Sequence, residues 1–162
     1  MNFKYYKSGA AILLAFVSLL MIVSCERKGK ISGPEATKET LPTPGKTIAL
    51  AKGGVTDYVI VEGENPSPAE RTAAADLAKF LKKVTGAEFK TVKENPDVKL
   101  AKGIYVGWTG FAARQGITAS GFAPEEWSVT TVDDNLVMTG GRPRGTLNGV
   151  YEFLEEVVGV HL

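Results

Sequence analysis

The sequence has 162 residues, of which 44% are hydrophobic and 23% are charged, and its formal net charge is +1. These proportions are typical of a globular domain with short appendages and exclude a disordered or collagen-like chain, and the near-neutral charge gives no electrostatic basis for binding nucleic acid. One cysteine and one histidine exclude an intrachain disulfide framework and a zinc site built from cysteines or histidines.

Residues 1–24 are predicted to be a lipoprotein signal peptide. Lys4 and Lys7 give a positive start, and the uncharged run that follows is slightly short of the roughly 20 apolar residues that span a bilayer. The run ends at Ile22-Val23-Ser24-Cys25, which resembles the lipobox of bacterial lipoproteins. This resemblance implies cleavage before Cys25 and lipid attachment to its sulfur, and the alternative is an uncleaved anchor with an incidental cysteine. Either arrangement places the rest of the chain outside the cytoplasm, on the membrane in the periplasm or at the cell surface.

Residues 25–46 are predicted to be a flexible tether, because glycine, proline and charged residues leave almost no large apolar side chain to bury. Residues 47–162 are then one domain. Six strands are predicted in it: Ile48–Ala51, Tyr58–Val61, Glu88–Val92, Gly103–Gly107, Trp127–Val132 and Leu136–Thr139, the last two joined as a hairpin.

Two helices are predicted between and after these strands. Residues 67–85 begin with Ser67 as N-cap, proline in the first turn and Glu70 three residues after the cap, and Gly86 ends the helix. Residues 145–158 carry a second apolar stripe that Gly159 ends. We therefore expect an α+β fold, with a mixed sheet of five or six strands and two long helices packed on one face.

The loop from Gly140 to Thr146 matches the glycine spacing of a phosphate-binding loop. Thr146 stands where that loop requires lysine, and the preceding strand belongs to a hairpin rather than a parallel βαβ unit. The glycines are better interpreted as a tight turn that lets the following helix pack closely on the sheet. No nucleotide and no other cofactor is therefore predicted.

Three adjacent acidic pairs are the candidates for glycosidase chemistry, which needs two carboxylates about 5 to 9.5 Å apart across one bond. Neighbours in sequence diverge on a strand or a helix, so the pairs do not aim at one point. Ser128 has no histidine base within reach, since His161 lies at the terminus. No catalytic residue and no metal ligand is predicted in this chain. The pairs are Glu125-Glu126, Asp133-Asp134 and Glu155-Glu156.

Four aromatic residues, Trp108, Phe111, Phe122 and Trp127, lie around a glycine-rich stretch. The favoured interpretation is that they close one end of the core, because large aromatic side chains are buried on average. The alternative is a platform on which a sugar ring stacks, with Trp108 and Trp127 as the sugar contacts.

Four segments of residues 47–162 carry a resemblance to a known family. They are Ser67-Pro68-Ala69-Glu70, residues 80–87, Ile104-Tyr105-Val106-Gly107 and, most specifically, the turn and helix in residues 140–155. They resemble the N-terminal accessory domain of bacterial glycoside hydrolases, which precedes the catalytic barrel in alpha-glucuronidases and beta-N-acetylhexosaminidases. The match covers nearly all of residues 47–162.

The resemblance implies a domain that supports a following (β/α)8 barrel holding the catalytic carboxylates, so this chain is expected to be inactive alone. Phe153, Val160 and Leu162 extend the apolar character of the last helix, which suggests a surface for a partner. In the turn before that helix, Arg142, Arg144 and Gly145 are expected to position the helix or to meet the following domain. A small stand-alone lipoprotein that binds a glycan or a protein is the alternative.

Overall fold

The computed structural model describes residues 48–98 and 100–161 and the backbone of the short strand Tyr5–Tyr6. Its strands are β1 (Tyr5–Tyr6), β2 (Val59–Glu62), β3 (Thr91–Lys93), β4 (Gly103–Val106), β5 (Trp127–Val132) and β6 (Asn135–Gly140). Its helices are α1 (Pro68–Thr85), α2 (Gly110–Arg114) and α3 (Gly145–Phe153), with a 3₁₀ turn at Ala119–Gly121 and a π-helical turn at Leu154–Val158. The predicted α+β class with a mixed sheet is confirmed.

Five strands of the domain form one sheet in the order β5-β6-β4-β2-β3, and β1 pairs antiparallel with the outer side of β5. Strands β2, β3, β4 and β6 run parallel to one another, and β5 and β6 form the predicted antiparallel hairpin. The carboxyl ends of the four parallel strands and the amino end of β5 therefore meet along one side of the sheet, the carboxyl edge.

The two faces of the sheet bury different side chains, because successive residues of a strand point to opposite sides. Ile104 and Val106 of β4 belong to the larger core cluster, which includes the buried apolar side chains of α1 and α3. Tyr105, between them, belongs to a smaller cluster with Ala112 of α2. Strand β4 is buried along its whole length, as expected for a central strand with both faces covered.

Helix α1 has the predicted boundaries because its capping groups are all in place. The Ser67 hydroxyl accepts a hydrogen bond from the Glu70 N–H at 3.2 Å, and Glu70 Oε2 accepts one from the Ser67 N–H at 2.6 Å. Gly86 adopts a left-handed φ of 75° and donates its N–H to the Lys82 carbonyl. The capping box and the glycine stop are therefore confirmed.

The predicted strand Ile48–Ala51 is wrong. The segment packs Ile48, Leu50 and Ala51 against the core without joining the sheet, and it is followed by a tight turn at Gly53 and Gly54, both with left-handed φ, which paired backbone bonds between Lys52 and Val55 close. The strand predicted at Glu88–Val92 is shorter and later, at Thr91–Lys93. Its first part instead buries Phe89 in the core.

The second predicted helix is a nine-residue α-helix, α3, continued by the π-helical turn Leu154–Val158, and Gly159 ends it with a left-handed φ of 79°. The apolar partner surface predicted near its end is wrong for Phe153, which lies in the core at 8% exposure. Val160 also packs against the core, and Leu162 lies outside the described residues. In this segment the exposed large hydrophobic side chain is that of Val157.

A hydrogen bond from the Tyr151 hydroxyl to Asp76 Oδ2, at 2.8 Å, connects α3 with α1. This bond, with burial and the nearby Asp76 charge, raises the pKa of Tyr151. We expect Tyr151→Phe to lower the free energy of unfolding by about 1–2 kcal/mol, measured by urea denaturation, because the bond has a charged acceptor. Asp76→Asn keeps an acceptor and should cost less, and a Tyr151→Phe variant as stable as the wild type would show that the bond contributes nothing.

Candidate functional site

The carboxyl edge collects the segments that the sequence analysis singled out. Gly107 and Trp108 follow β4, α1 begins close to the end of β2, and the turn of residues 140–145 joins β6 to α3. In open sheets with parallel strands, ligands bind outside the carboxyl ends of the strands. This edge is therefore the part of the domain in which a site is expected.

Glu70 is the buried charge of this edge, at 3% exposure. Its Oε2 accepts the Ser67 N–H and lies 3.2 Å from Nη2 of Arg142, and its Oε1 is buried without a hydrogen-bond partner among the described residues. Gly107 lies against it with a φ of 80°, and a Cβ there would come within 2.8 Å of the Glu70 Cγ. The carboxylate therefore joins α1 to the turn after β6, in a space that only a glycine leaves open.

The turn of residues 140–145 is fitted closely against the loop before β5. The Gly141 N–H donates to the Glu126 carbonyl at 2.7 Å, and the Gly145 N–H donates to the Gly141 carbonyl at 2.8 Å. A Cβ on Gly145 would overlap the Glu126 carbonyl oxygen, and a Cβ on Gly141 would overlap that of Ala123. A side chain at Gly145 would therefore obstruct the entry to the helix.

The two arginines of this turn, joined through a cis Arg142–Pro143 bond, have different surroundings. Arg142 pairs with Glu70, although its side chain remains 55% exposed. Arg144 precedes α3 and is exposed, and within residues 48–98 and 100–161 its side chain makes no hydrogen bond or ion pair, although its carbonyl accepts the Asn148 N–H. The structure thus gives the anchoring contact to Arg142 and not to Arg144, although the sequence suggests the same role for both.

This difference predicts unequal effects of the same substitution. Arg142→Gln should lower the free energy of unfolding by about 1–3 kcal/mol, because it leaves the buried Glu70 carboxylate without its cation. Arg144→Gln, on the same turn, should change it by less than about 0.5 kcal/mol. Thermal and urea denaturation of the two variants in parallel provide the measurement, and equal losses would contradict the assignment of the anchor to Arg142.

The four predicted aromatic residues do not form one cluster. Trp127 is buried at 8% exposure and packs beneath Gly149 of α3, so it belongs to the core. Phe111 stacks on Tyr105 with ring centroids 4.0 Å apart. Trp108 and Phe122 form an edge-to-face pair at 5.5 Å, and both are half-buried. The core interpretation therefore holds for Trp127, whereas Trp108 is half-buried at the carboxyl edge.

A cavity of about 360 Å³ opens at the carboxyl edge beside this aromatic pair. We call it the edge hollow. It is lined by Trp108, Ala119, Phe122, Pro124, Gly141 and Arg142.

The three acidic pairs named in the sequence analysis lie in turns and in exposed segments. Glu126 Oε2 accepts the Ala123 N–H at 2.6 Å, inside the loop before β5. Asp133 adopts a left-handed φ of 53° in the turn of the hairpin, and Glu155 and Glu156 are exposed on the π-helical turn. No group of three or more histidine, cysteine or acidic side chains among the described residues is arranged to hold a metal ion.

The N-terminal predictions lie outside the described residues, apart from the backbone of Tyr5–Tyr6. This applies to the signal peptide, to the lipidation site Cys25 and to the tether. Within the part of the chain that the structure describes, no helix has both the length and the apolar character needed to cross a bilayer.

The contact between Glu70 and Arg142 escaped the sequence analysis, which assigned Glu70 only to the helix cap. The contact follows from the parallel arrangement of β2 and β6, which both run parallel to β4. Helices that follow parallel strands begin at the same edge of the sheet, so the starts of α1 and α3 lie close together. That arrangement cannot be derived from strand periodicity alone.

No protein-family model matches the sequence, and no curated protein matches it significantly.

Proposed function

We propose that this chain is the non-catalytic N-terminal accessory domain of a secreted, membrane-anchored bacterial glycoside hydrolase that acts in polysaccharide breakdown. The parent enzyme is of the alpha-glucuronidase or beta-N-acetylhexosaminidase kind. A downstream (β/α)8 barrel carries its catalytic carboxylates, and the lipid on Cys25 holds the protein to the membrane, facing the periplasm or the cell surface.

One observation carries the proposal. Two of the segments that carry the family resemblance, the Ser67–Glu70 helix start and the more specific Gly140–Gly145 turn, meet at the carboxyl edge through the ion pair between Glu70 and Arg142. Glu70 and Arg142 both belong to segments that carry the resemblance, and they contact each other although they lie 72 residues apart in the sequence. We interpret this ion pair as a structural contact that stabilises the domain and takes no part in a reaction.

The chemistry of the described residues also favours a supporting role. Glycoside hydrolysis needs two carboxylates that face one bond. Glu70, the buried carboxylate of the carboxyl edge, is committed to the Ser67 N–H and to Arg142. Glu126 is committed to the loop before β5. In this proposal α1 and α3 cover one face of the sheet, and the exposed arginine Arg144 is available to the following domain.

The enzymatic part of the proposal predicts that the 162-residue chain hydrolyses neither aryl glucuronides nor aryl N-acetylhexosaminides above the rate without protein. An active alpha-glucuronidase and an active hexosaminidase, assayed in parallel, provide the positive controls. Turnover that disappears when one acid of this chain is replaced, for example in Glu125→Gln, would contradict the accessory role.

Lipidation is tested separately from activity. Labelled fatty acid should enter the wild-type protein in bacterial cells and should be absent from Cys25→Ala, because the sulfur that carries the lipid has been removed. Ser24→Ala, which keeps the cysteine and the apolar run, is the matched control and should still be labelled. Equal labelling of the cysteine variant would mean that the chain is anchored in another way.

The edge hollow favours the second candidate, a small stand-alone lipoprotein that binds a glycan. The two candidates differ in the coding sequence expected downstream of Leu162. An open reading frame that continues into a barrel-sized domain supports the accessory role, and a stop codon supports the binding protein.

A further inference from the structure

The edge hollow has the size and position of a small-molecule site. Its volume of about 360 Å³ lies at the lower end of the range typical of ligand pockets, about 300 to 1,000 Å³. It opens at the carboxyl edge, beyond the ends of β4 and β6, which is the usual place for ligands in sheets of this kind. A single sugar ring is a ligand of suitable size.

One wall of the hollow is aromatic. Trp108 and Phe122 meet edge to face, with an interplanar angle of 72°, so each ring supports the orientation of the other. Both rings are half-buried and both line the hollow. An aromatic face offers apolar area to the C–H groups of a pyranose, which leaves the polar groups of the sugar free for hydrogen bonds.

The rim of the edge hollow carries the Arg142 guanidinium, which the buried Glu70 carboxylate holds in place. Arg142 lines the hollow, and its Nη2 is held at 3.2 Å by Glu70, which is buried at 3% exposure. The arginine side chain is 55% exposed, and its guanidinium has donors besides the Nη2 that faces Glu70. A guanidinium held in this way is prepared to bind a second carboxylate through its remaining donors.

We infer that the edge hollow binds a sugar residue bearing a carboxylate, a uronic acid unit, whose ring packs on Trp108 and whose carboxylate pairs with Arg142. An aromatic wall beside one fixed cation matches a ligand that has an apolar face and a single negative charge. The carboxylate of Glu126, on the neighbouring loop, is directed to the Ala123 N–H. This inference goes beyond the proposed function, because it needs no downstream catalytic domain.

The two tryptophans of the chain provide a direct test. With ¹⁵N-labelled tryptophan in the full chain, kept soluble in detergent micelles, methyl glucuronoside is titrated against the neutral methyl glucoside. We expect the indole N–H signal of Trp108 to shift in a saturable manner with the glucuronoside, and that of the buried Trp127 to stay in place. The neutral sugar should bind at least about tenfold more weakly, since it lacks the charge-assisted contact.

Variants assign the contacts. Arg142→Gln and Trp108→Ala should each weaken binding of the glucuronoside by about tenfold or more, whereas Arg144→Gln should leave it within about twofold. Arg142→Lys retains a cation beside Glu70, so it keeps the domain folded if Arg142→Gln does not. It should still weaken binding, because lysine lacks the planar fork.

Several outcomes would overturn the inference: no saturable shift with the glucuronoside, equal affinity for both sugars, or equal losses in the Arg142 and Arg144 variants. An acidic peptide that binds as tightly as the glucuronoside would also overturn it, since the hollow would then recognise a protein carboxylate. None of these outcomes depends on whether a barrel follows the domain, so failure here is distinguishable from failure of the proposed function.

Discussion

Replacing Gly141 by alanine should destabilise the domain by about 3 kcal/mol or more, or prevent it from folding. A Cβ at this position would overlap the Ala123 carbonyl oxygen, and it would also lie 2.8 Å from the Ala123 carbonyl carbon and 3.3 Å from the Pro124 Cα. These atoms belong to the backbone, so no side-chain rotation can relieve the overlap. The Gly141 N–H bond to the Glu126 carbonyl, which joins the turn to the loop before β5, would be displaced as well.

Gly121→Ala is the matched control for this substitution. Gly121 lies in the 3₁₀ turn near the same loop, its φ is not left-handed, and no atom lies within 4 Å of a Cβ built on it. We expect its effect to stay within about 0.5 kcal/mol. Circular dichroism during urea denaturation measures both variants, and a Gly141→Ala protein as stable as the wild type would show that the turn can move away from the loop at little cost.

The second large effect is expected at Glu70. Glu70→Ala removes the acceptor for the Ser67 N–H, leaves Arg142 without its partner and opens a space beside Gly107. These losses together should lower the free energy of unfolding by about 2–4 kcal/mol. Glu70→Gln keeps the shape and one carbonyl acceptor, so its cost should be clearly smaller.

An exposed glutamate serves as the control for Glu70. Glu88 pairs with Lys82 at the surface, where both side chains are more than half exposed, and such pairs contribute little. Glu88→Ala should therefore change stability by less than about 0.5 kcal/mol. If Glu70→Ala proved as mild as Glu88→Ala, the ion pair at the carboxyl edge would not be a structural device, and the accessory role would lose its main support.

The parts of the fold that the sequence predicted correctly are those fixed by local chemistry. Helix α1 could be placed because Ser67, Glu70 and Gly86 satisfy its ends with groups only a few residues away. The β5–β6 hairpin was predictable because its turn lies between two runs of strand-forming residues. In each case the deciding residues lie close together in the chain.

The missed elements depend on contacts between distant residues. Helix α2 has only five residues, too few for a periodic pattern, and Glu94, far back in the chain, accepts hydrogen bonds from the N–H groups of Gly110 and Phe111 at its start. Ile48–Ala51 has the composition of a strand, but its apolar residues pack against the core of the domain and the segment does not join the sheet. Composition alone could not reveal either fact.

In the candidate site, too, the residues with local roles could be predicted from the sequence, and those with long-range contacts could not. Gly145 was recognised from its place at the start of a helix, because a close approach of backbones there is a local requirement. The roles of Arg142 and Arg144 could not be separated in sequence, since both flank the same proline. Only the strand order, which brings the start of α1 beside the end of β6, shows that Arg142 reaches Glu70.

The intact mass of the native protein, isolated from bacterial membranes with an antibody against the domain, tests the central claim most directly. As the N-terminal domain of a glycoside hydrolase, the protein should exceed the 17.3 kDa of this chain by the mass of a barrel of about 250 residues, with a lipid on its first residue. A native protein of 17.3 kDa or less, apart from the lipid, would contradict the accessory role and leave the stand-alone glycan-binding lipoprotein in its place.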